Sequence, residues 1–299
     1  MDKIKIGYFA DGPWSHKAFE KIIKDKTIEV KFIVPRTDSI DNTLLNYANK
    51  YNIPYHKGVK VNTDVFYALA SSYNCDLFVS MSFNQIFRTR IINLPKLKTI
   101  NCHAGKLPFY RGRNILNWAL INDEKEFGIT VHYVDEGIDT GDIILQRNFP
   151  ISDEDDYGSL LEVAYKECAN ILYDSIKLIQ NDRVKVINQK SIHPVGFYCG
   201  ARQEGDEILN WNQSSRDIFN FVRAISQPGP VARTYANGKE IRINKVRLIN
   251  NAPNYKGIPG QVISKTVQGF YVKTSDSFVE IISYEGDIKV GFRFENKRV

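Results

Sequence analysis

No stretch of this chain approaches the roughly eighteen consecutive apolar residues of a membrane-spanning helix, so none is expected. Cysteine is scarce and scattered. Cys75, Cys102, Cys168 and Cys199 form no C-x-x-C pair, which argues against both a disulfide framework and a zinc site. They read as free thiols in a reducing cytoplasm. There is no internal repeat and no low-complexity tract. The start, Met1-Asp2-Lys3-Ile4-Lys5-Ile6-Gly7, lacks the apolar run and small-residue cleavage site of a signal peptide and reads as the lead-in to an amphipathic strand. Charge of one sign is also missing in any concentrated form. The net +6 comes from 40 Lys+Arg against 34 Asp+Glu spread along the chain, with a mild basic bias near the C-terminus. A solvated surface explains that excess better than a dedicated polyanion groove.

What is present is an ordinary globular composition: 299 residues, 43% hydrophobic and 25% charged. That length is about twice the common domain size and ample for a core needing neither disulfide nor structural metal. In the first half, apolar runs alternate with amphipathic stretches. Strands are expected at 4–10, 28–34, 53–55, 77–81 and 99–102, with helices at 16–24, 43–51 and 64–73, the last capped by Thr63 or Asn62. This alternation predicts an α/β fold, a Rossmann-like, mainly parallel sheet whose ligands sit beyond the carboxyl ends of its strands. Apolar runs at 129–134 and 143–145 follow. The acidic run Asp153-Glu154-Asp155-Asp156 precedes a long helix at 157–179 and reads as capping rather than metal binding. Residues 183–207 lack periodicity and read as a linker between an α/β domain, 1–182, and a smaller, mostly β domain, 208–299. In the latter a helix at 214–225 precedes five short strands, at 241–249, 260–264, 270–273, 278–283 and 289–294, as in a small barrel or sandwich.

The chemistry concentrates in two places. Asn101 and His103 are two apart at the end of an expected strand, so their side chains share a face at the sheet's ligand edge. An Asn amide can donate to a developing oxyanion, and a His can donate likewise or take a proton. A carboxylate should orient that His, and Asp139, in a turn between Gly137 and Gly141, is the candidate. Each element alone is common: an Asp between glycines is an ordinary turn. His132 alternates with apolar neighbours and reads as structural, while His16, His56 and His193 have no partners at useful spacing.

Taken together, Asn101-x-His103, the loop Leu107-Pro108-Phe109-Tyr110-Arg111-Gly112 and the turn Asp139-Thr140-Gly141 resemble the folate-dependent formyltransferase family. That family includes methionyl-tRNA, glycinamide ribonucleotide and sugar-nucleotide N-formyltransferases. The likeness covers Ile4 to about Asp182, and Leu209–Ser214 with Ile218–Ala224 resemble the start of the family's second domain. It implies that Asn101 and Asp139 stabilise the transition state and that His103 transfers the proton. It further implies that Gln85, Ile86 and Phe87, largely through backbone, and Asp135, Glu136, Gly137, Ile138 and Asp139 form the two walls of a pocket for 10-formyltetrahydrofolate. Arg113 matches a cofactor-contacting arginine of the sugar-specific branch. No metal is required.

The family leaves the acceptor amine open. In the tRNA-specific branch the segment matching Pro35–Tyr55 carries a basic loop; here it holds only Arg36 and Lys50 against Asp38 and Asp41, too few cations to grip phosphates. The loop after His103 reads Gly105-Lys106-Leu107-Pro108 where the tRNA branch has Ser-Leu-Leu-Pro, and Phe109–Asn114 with Asn117-Trp118 look like the sugar branch. The expectation is therefore an enzyme formylating a nucleotide-linked amino sugar, favouring a dTDP-linked 3- or 4-amino dideoxyhexose, in surface polysaccharide (O-antigen, lipopolysaccharide) synthesis. Lys106 and Arg111 are candidates for a pyrophosphate and Trp14 for the acceptor. No nucleic acid or membrane partner is expected; a cytoplasmic homodimer is. The alternatives are a methionyl-tRNA formyltransferase, a non-catalytic folate- or nucleotide-binding module, and a hydrolase releasing formate from the same donor.

Overall fold

The computed structural model describes residues 3–295, so Met1 and Asp2 of the expected first-strand lead-in lie outside the described residues. The chain divides into two compact units. One runs to Gly112 and takes in Phe127–Phe149 and Glu162–Cys199; the other comprises Arg113–Glu126, Pro150–Leu161 and the chain from Gly200 onward.

The first unit is the expected α/β fold. Strand β1 (Ile4–Ala10) leads into helix α1 (Gly12–Ile22), where the Asp11 side chain caps the Gly12 amide and Pro13 occupies the first turn. β2 (Ile28–Val34), α2 (Thr43–Tyr51), α3 (Asp64–Ser72) and β3 (Leu77–Met81) follow, with Thr63 capping α3 through the Phe66 amide. The short α4 (Thr89–Ile92) precedes β4 (Thr99–His103), and a two-residue β5 (Arg111–Gly112) follows. β6 (Glu126–Tyr133) and β7 (Ile143–Pro150) complete a six-stranded sheet ordered β2-β1-β3-β4-β6-β7. The first four strands are parallel, and β6 runs antiparallel to β4. Phe9 centres one core face: the rings of Phe32, Phe66, Phe78, Phe83 and Phe87 surround it with centroids 5.1–6.0 Å away. Five of these six rings are buried and Phe83 is partly so, and removing that apolar surface from water favours the folded sheet.

Two expectations change here. Ile53–Tyr55 makes no strand; Tyr55 forms a single bridge to Ile33, because Pro54 has no N–H to extend a ladder. The 183–207 stretch, though aperiodic, holds a one-turn helix α7 (Gln189–Ile192) and a strand β8 (Tyr198–Cys199) paired in parallel with β5. The long helix α6 (Tyr157–Gln180) begins where the acidic run predicts: Asp156 accepts from the Ser159 amide at 3.0 Å. Among the described residues, no helix is long and apolar enough to cross a membrane.

In the second unit, α5 (Ile115–Ile121) and α8 (Ser215–Ile225) pair through a hydrogen bond from the Asn117 amide to the Ala224 carbonyl. Ser214 and Asp217 form a reciprocal capping box at the start of α8. β9 (Ala232–Ala236), β10 (Lys239–Leu248), β11 (Val262–Lys265), β12 (Phe270–Lys273) and β13 (Phe278–Glu285) make an antiparallel sheet ordered β11-β12-β13-β10-β9. β9 is a strand that the turn signals at Pro230 and Asn237-Gly238 obscure, whereas 289–294 is not a regular strand. Instead that segment bridges both sheet edges, Arg293 to Gln261 and Glu295 to Tyr235, so the sheet closes on itself in a barrel-like way.

Candidate active site

The site is assembled at the strand where the sheet changes direction. Asn101 and His103 lie on one face of β4, and the antiparallel register sets Asn101 opposite His132 and His103 opposite Thr130 on β6. Beyond β6 the chain turns through Asp135–Asp142, and Asp139 sits in that turn at φ 54°. Its neighbour Gly141 has no alternative: a Cβ there would collide with the Tyr133 carbonyl. A Cβ on Gly105 would likewise strike the His103 ring and the Tyr110 carbonyl, so the loop after β4 folds tightly over the imidazole.

This geometry brings three expected residues together and adds a fourth. Asp139 Oδ2 lies 3.6 Å from His103 Nδ1, and Asp139 Oδ1 lies 3.5 Å from His132 Nε2. Asn101 Nδ2 is 3.4 Å from that same His132 Nε2. The far nitrogen of each ring meets a main-chain carbonyl at 2.7 Å, His103 Nε2 at Tyr110 and His132 Nδ1 at Tyr133. A carbonyl only accepts, so those nitrogens carry protons, and in each neutral ring the nitrogen facing Asp139 presents a lone pair. Adding one proton to either imidazole turns a lone pair into a donor to the carboxylate. The Asp139 side chain is only 12% exposed. Burial pushes its carboxyl upward, but once the imidazoles are protonated the charge of His103 and the hydrogen bond and charge of His132, together with the Gly112 amide at 2.9 Å, outweigh burial and hold it well below the usual carboxylate range. With Asp139 ionised between the two imidazoles, a proton arriving on either ring is stabilised by the carboxylate beside it.

A cavity of about 680 Å³ opens beside the turn, lined by Tyr133–Glu136 and Thr140–Asp142 together with Thr89, Ile92, Asn93 and Lys98, and by Gln189 and its neighbours. Its volume suits a small organic ligand. Asp135 and Glu136 are on its wall; Gly137 and Ile138 are exposed at the adjoining tip of the turn. The Asp135 carboxylate is occupied, accepting from the Gly137 amide and Thr140 hydroxyl, and Glu136 accepts from Thr89.

The other expected residues fall elsewhere. Gln85 does not reach the cavity: its amide donates to the Val59 carbonyl and its oxygen accepts from the Val61 amide, tying down a neighbouring loop. Phe87 is buried against Phe9 and Phe83. Only Ile86 of this trio offers an exposed side chain. Arg111, the candidate for a pyrophosphate, is 6% exposed; three of its five N–H groups are held by Gln189 and the Val195 carbonyl, and the residue also lines the cavity. Lys106 is half-buried, its stem against Gly128. Trp14 packs edge-on against Tyr165 of α6, centroids 4.7 Å apart, and Arg113 is exposed in the second unit. Among the described residues no group of three or more His, Cys, Asp and Glu is arranged to hold a metal ion.

Comparison with known proteins bears on this arrangement. The family described as "Formyl transferase" matches residues 23–176, and "Formyl transferase, C-terminal domain" matches residues 202–289. The methionyl-tRNA formyltransferase of Pelotomaculum thermopropionicum is 34% identical over 217 residues, 73% of this chain and 68% of the relative. That of Mycoplasma mycoides subsp. mycoides is 32% identical over 97% of this chain and 92% of its own length. The crystal structure of an N-formyltransferase from Helicobacter canadensis, in complex with folinic acid and dTDP-3-aminofucose, superposes with a TM-score of 0.70. It covers 95% of this chain and 100% of that one at 23% identity, which is a likeness of fold.

Proposed function

This chain belongs to the formyl transferase family, and from that premise we propose that it transfers the formyl group of 10-formyltetrahydrofolate to the amine of a nucleotide-linked amino sugar. The observation that carries formyl transfer is the convergence of Asn101, His103 and Asp139 on one buried point beside a ligand-sized cavity. The donor, when bound, supplies an electrophilic formyl carbon. Cavity and turn fit such a ligand: Ile92 and Val134 give apolar lining, and Asn93, Lys98 and Arg111 give polar groups around it.

The residues then divide the work. Attack by a neutral amine builds negative charge on the carbonyl oxygen. Asn101 has two N–H groups; one points to His132 and the second is available to that oxygen. A donor so placed is worth roughly 3–4 kcal/mol of barrier. The Nε2–H of His103 is held by Tyr110, so its Nδ1 is the proton acceptor, and Asp139 beside it stabilises the imidazolium that forms. The same proton returns to the departing folate nitrogen.

Support for a sugar acceptor comes from the Pro35–Tyr55 segment. Arg36 is locked in a two-point pair with Asp38, at 2.9 and 2.8 Å, and Lys50 lies over the Tyr51 ring, so no run of free cations faces a phosphate backbone there. The methionyl-tRNA relatives make tRNA the second reading. A panel of amines with 10-formyltetrahydrofolate, followed by tetrahydrofolate release, separates them. Turnover of dTDP-linked 3- or 4-amino dideoxyhexoses supports the proposal. Robust formylation of methionyl-tRNA without sugar turnover rejects the acceptor, formate release without any amine indicates a hydrolase, and no turnover on any amine leaves a binding module.

A further inference from the structure

Gln189 is 1% exposed, and every polar atom of its amide is used. The nitrogen donates to two main-chain carbonyls of one turn, Asp139 O and Gly141 O, each at 2.8 Å. The oxygen accepts from Arg111 Nη2 at 2.7 Å and Nε at 3.1 Å. Arg111 is fixed in turn by the Val195 carbonyl at 3.1 Å and lies over the Tyr198 ring. The next residue, Gly112, donates its amide to Asp139 Oδ2. Asp139 is therefore gripped at both ends, carboxylate and carbonyl, and both grips lead back to Arg111-Gly112.

We propose that Gln189 is a positioning residue: with Arg111 it clamps the Asp139 turn so that the carboxylate stands between His103 and His132. The inference rests on the reading of Asp139 as the partner of a proton-transferring His103. Asp139 occupies the left-handed backbone region, which a residue with a side chain keeps only when its surroundings over-determine it. Gly112 alone fixes one carboxylate oxygen and leaves the turn free to rotate about it. The Gln189 amide removes that freedom by pinning carbonyls on both sides of Thr140. Few other groups could do this, because two donors and one acceptor on a single flat unit are needed and a carboxylate lacks the donors. The clamp comes from α7, in a stretch whose sequence has no periodicity, which is why it escapes a reading by pattern.

The test is a double-mutant cycle on the full chain with Gln189→Glu and Asp139→Asn. Gln189→Glu keeps the acceptor for Arg111 and loses both donors. Loss of placement on this scale lowers kcat about ten- to hundredfold. On the Asp139→Asn background the same change should cost less than about twofold, since the residue it positions is already disabled. The second readout needs no ligand: the chain has five histidines, and in Gln189→Glu the NMR titrations of His103 and His132 should move while those of His16 and His56 stay. An equal loss of kcat on both backgrounds, or unmoved His103 and His132 titrations, overturns the inference. Full activity in Asp139→Asn would instead sink the underlying reading, with the histidine titrations still deciding whether Gln189 holds the turn. If Gln189→Glu fails to fold, Gln189→Met removes the donors without adding charge, and the same outcomes support or overturn the clamp.

Discussion

Asn101 and His132 are direct partners across the antiparallel β4–β6 register, and the Asn101 amide nitrogen lies 3.4 Å from His132 Nε2. That nitrogen of His132 cannot accept from Asn101 and donate to Asp139 at once. Neutral, it accepts and orients the amide; protonated, it turns to the carboxylate and repels the amide's hydrogens. His132 therefore links the protonation of the site to the aim of its oxyanion donor.

Replacing His132 by Phe keeps a flat ring and removes both contacts. We expect kcat to fall about ten- to hundredfold through misplacement of Asn101 and Asp139. A pH–rate profile checks it, and a variant that follows the wild-type curve at every pH would show that His132 only fills space.

Alanine at Asn101 should cost about 10²–10³ in kcat as a lost oxyanion donor, and alanine at His103 about 10²–10⁴ as a lost proton acceptor. Both variants should bind 5-formyltetrahydrofolate with nearly wild-type affinity, because neither residue lines the cavity. Loss of binding in step with loss of rate would count against these roles.

Gly141→Ala puts a methyl group into the Tyr133 carbonyl. The turn must shift to relieve it, moving Asp139 away from both imidazoles. Activity should fall at least as far as in Asp139→Asn while the far-UV circular dichroism stays native; full activity would mean the turn is more tolerant than its geometry indicates.

Asp139 and Asp25 carry carboxyls held below their ordinary range. At both, burial raises the carboxyl and is outweighed, at Asp139 by the two histidines and at Asp25 by the hydrogen bonds of Thr27, Tyr173 and Lys177. A depressed native value means stability that is fully present above the unfolded carboxyl's value of about 4 and is lost as pH falls through that value toward the native one. The melting temperature should therefore fall most steeply below about pH 4, after a shallower decline below about pH 6.5 from His16 and His56, whose native values burial lowers. Asp25→Asn should start lower and fall less steeply. A melting temperature that stays level below about pH 4, or an Asp25→Asn variant that falls as steeply as wild type, would reject the carboxylate account.

Most strands and helices of the first unit are legible in the chain because each depends on its own neighbours. Ile4–Ala10 and Ile28–Val34 are apolar runs stopped by Asp-Gly-Pro and Pro, and α2 and α3 carry their apolar faces at helical spacing. Asn101 and His103 are readable as a pair for the same reason, since alternation along a strand fixes their common face. Where a distant partner governs the outcome, the pattern fails. β9 needs β10 to be a strand, and the 289–294 run needs two sheet edges to reveal it as a closing bridge.

The local frame and the chemical inventory are written in the chain alone: an α/β unit, a β-rich unit, and an Asn, a His and an Asp in the spacing of a formyltransferase. Which of those groups meet is a product of tertiary folding. The antiparallel register of β6 brings His132 to Asn101, and the aperiodic stretch around Gln189 folds back to grip the Asp139 turn and to tie Arg111 to it. Contacts between residues 31, 50 and 78 positions apart leave no periodicity in the chain. They are set by hydrogen-bond geometry in a space that exists only once the chain has closed around it.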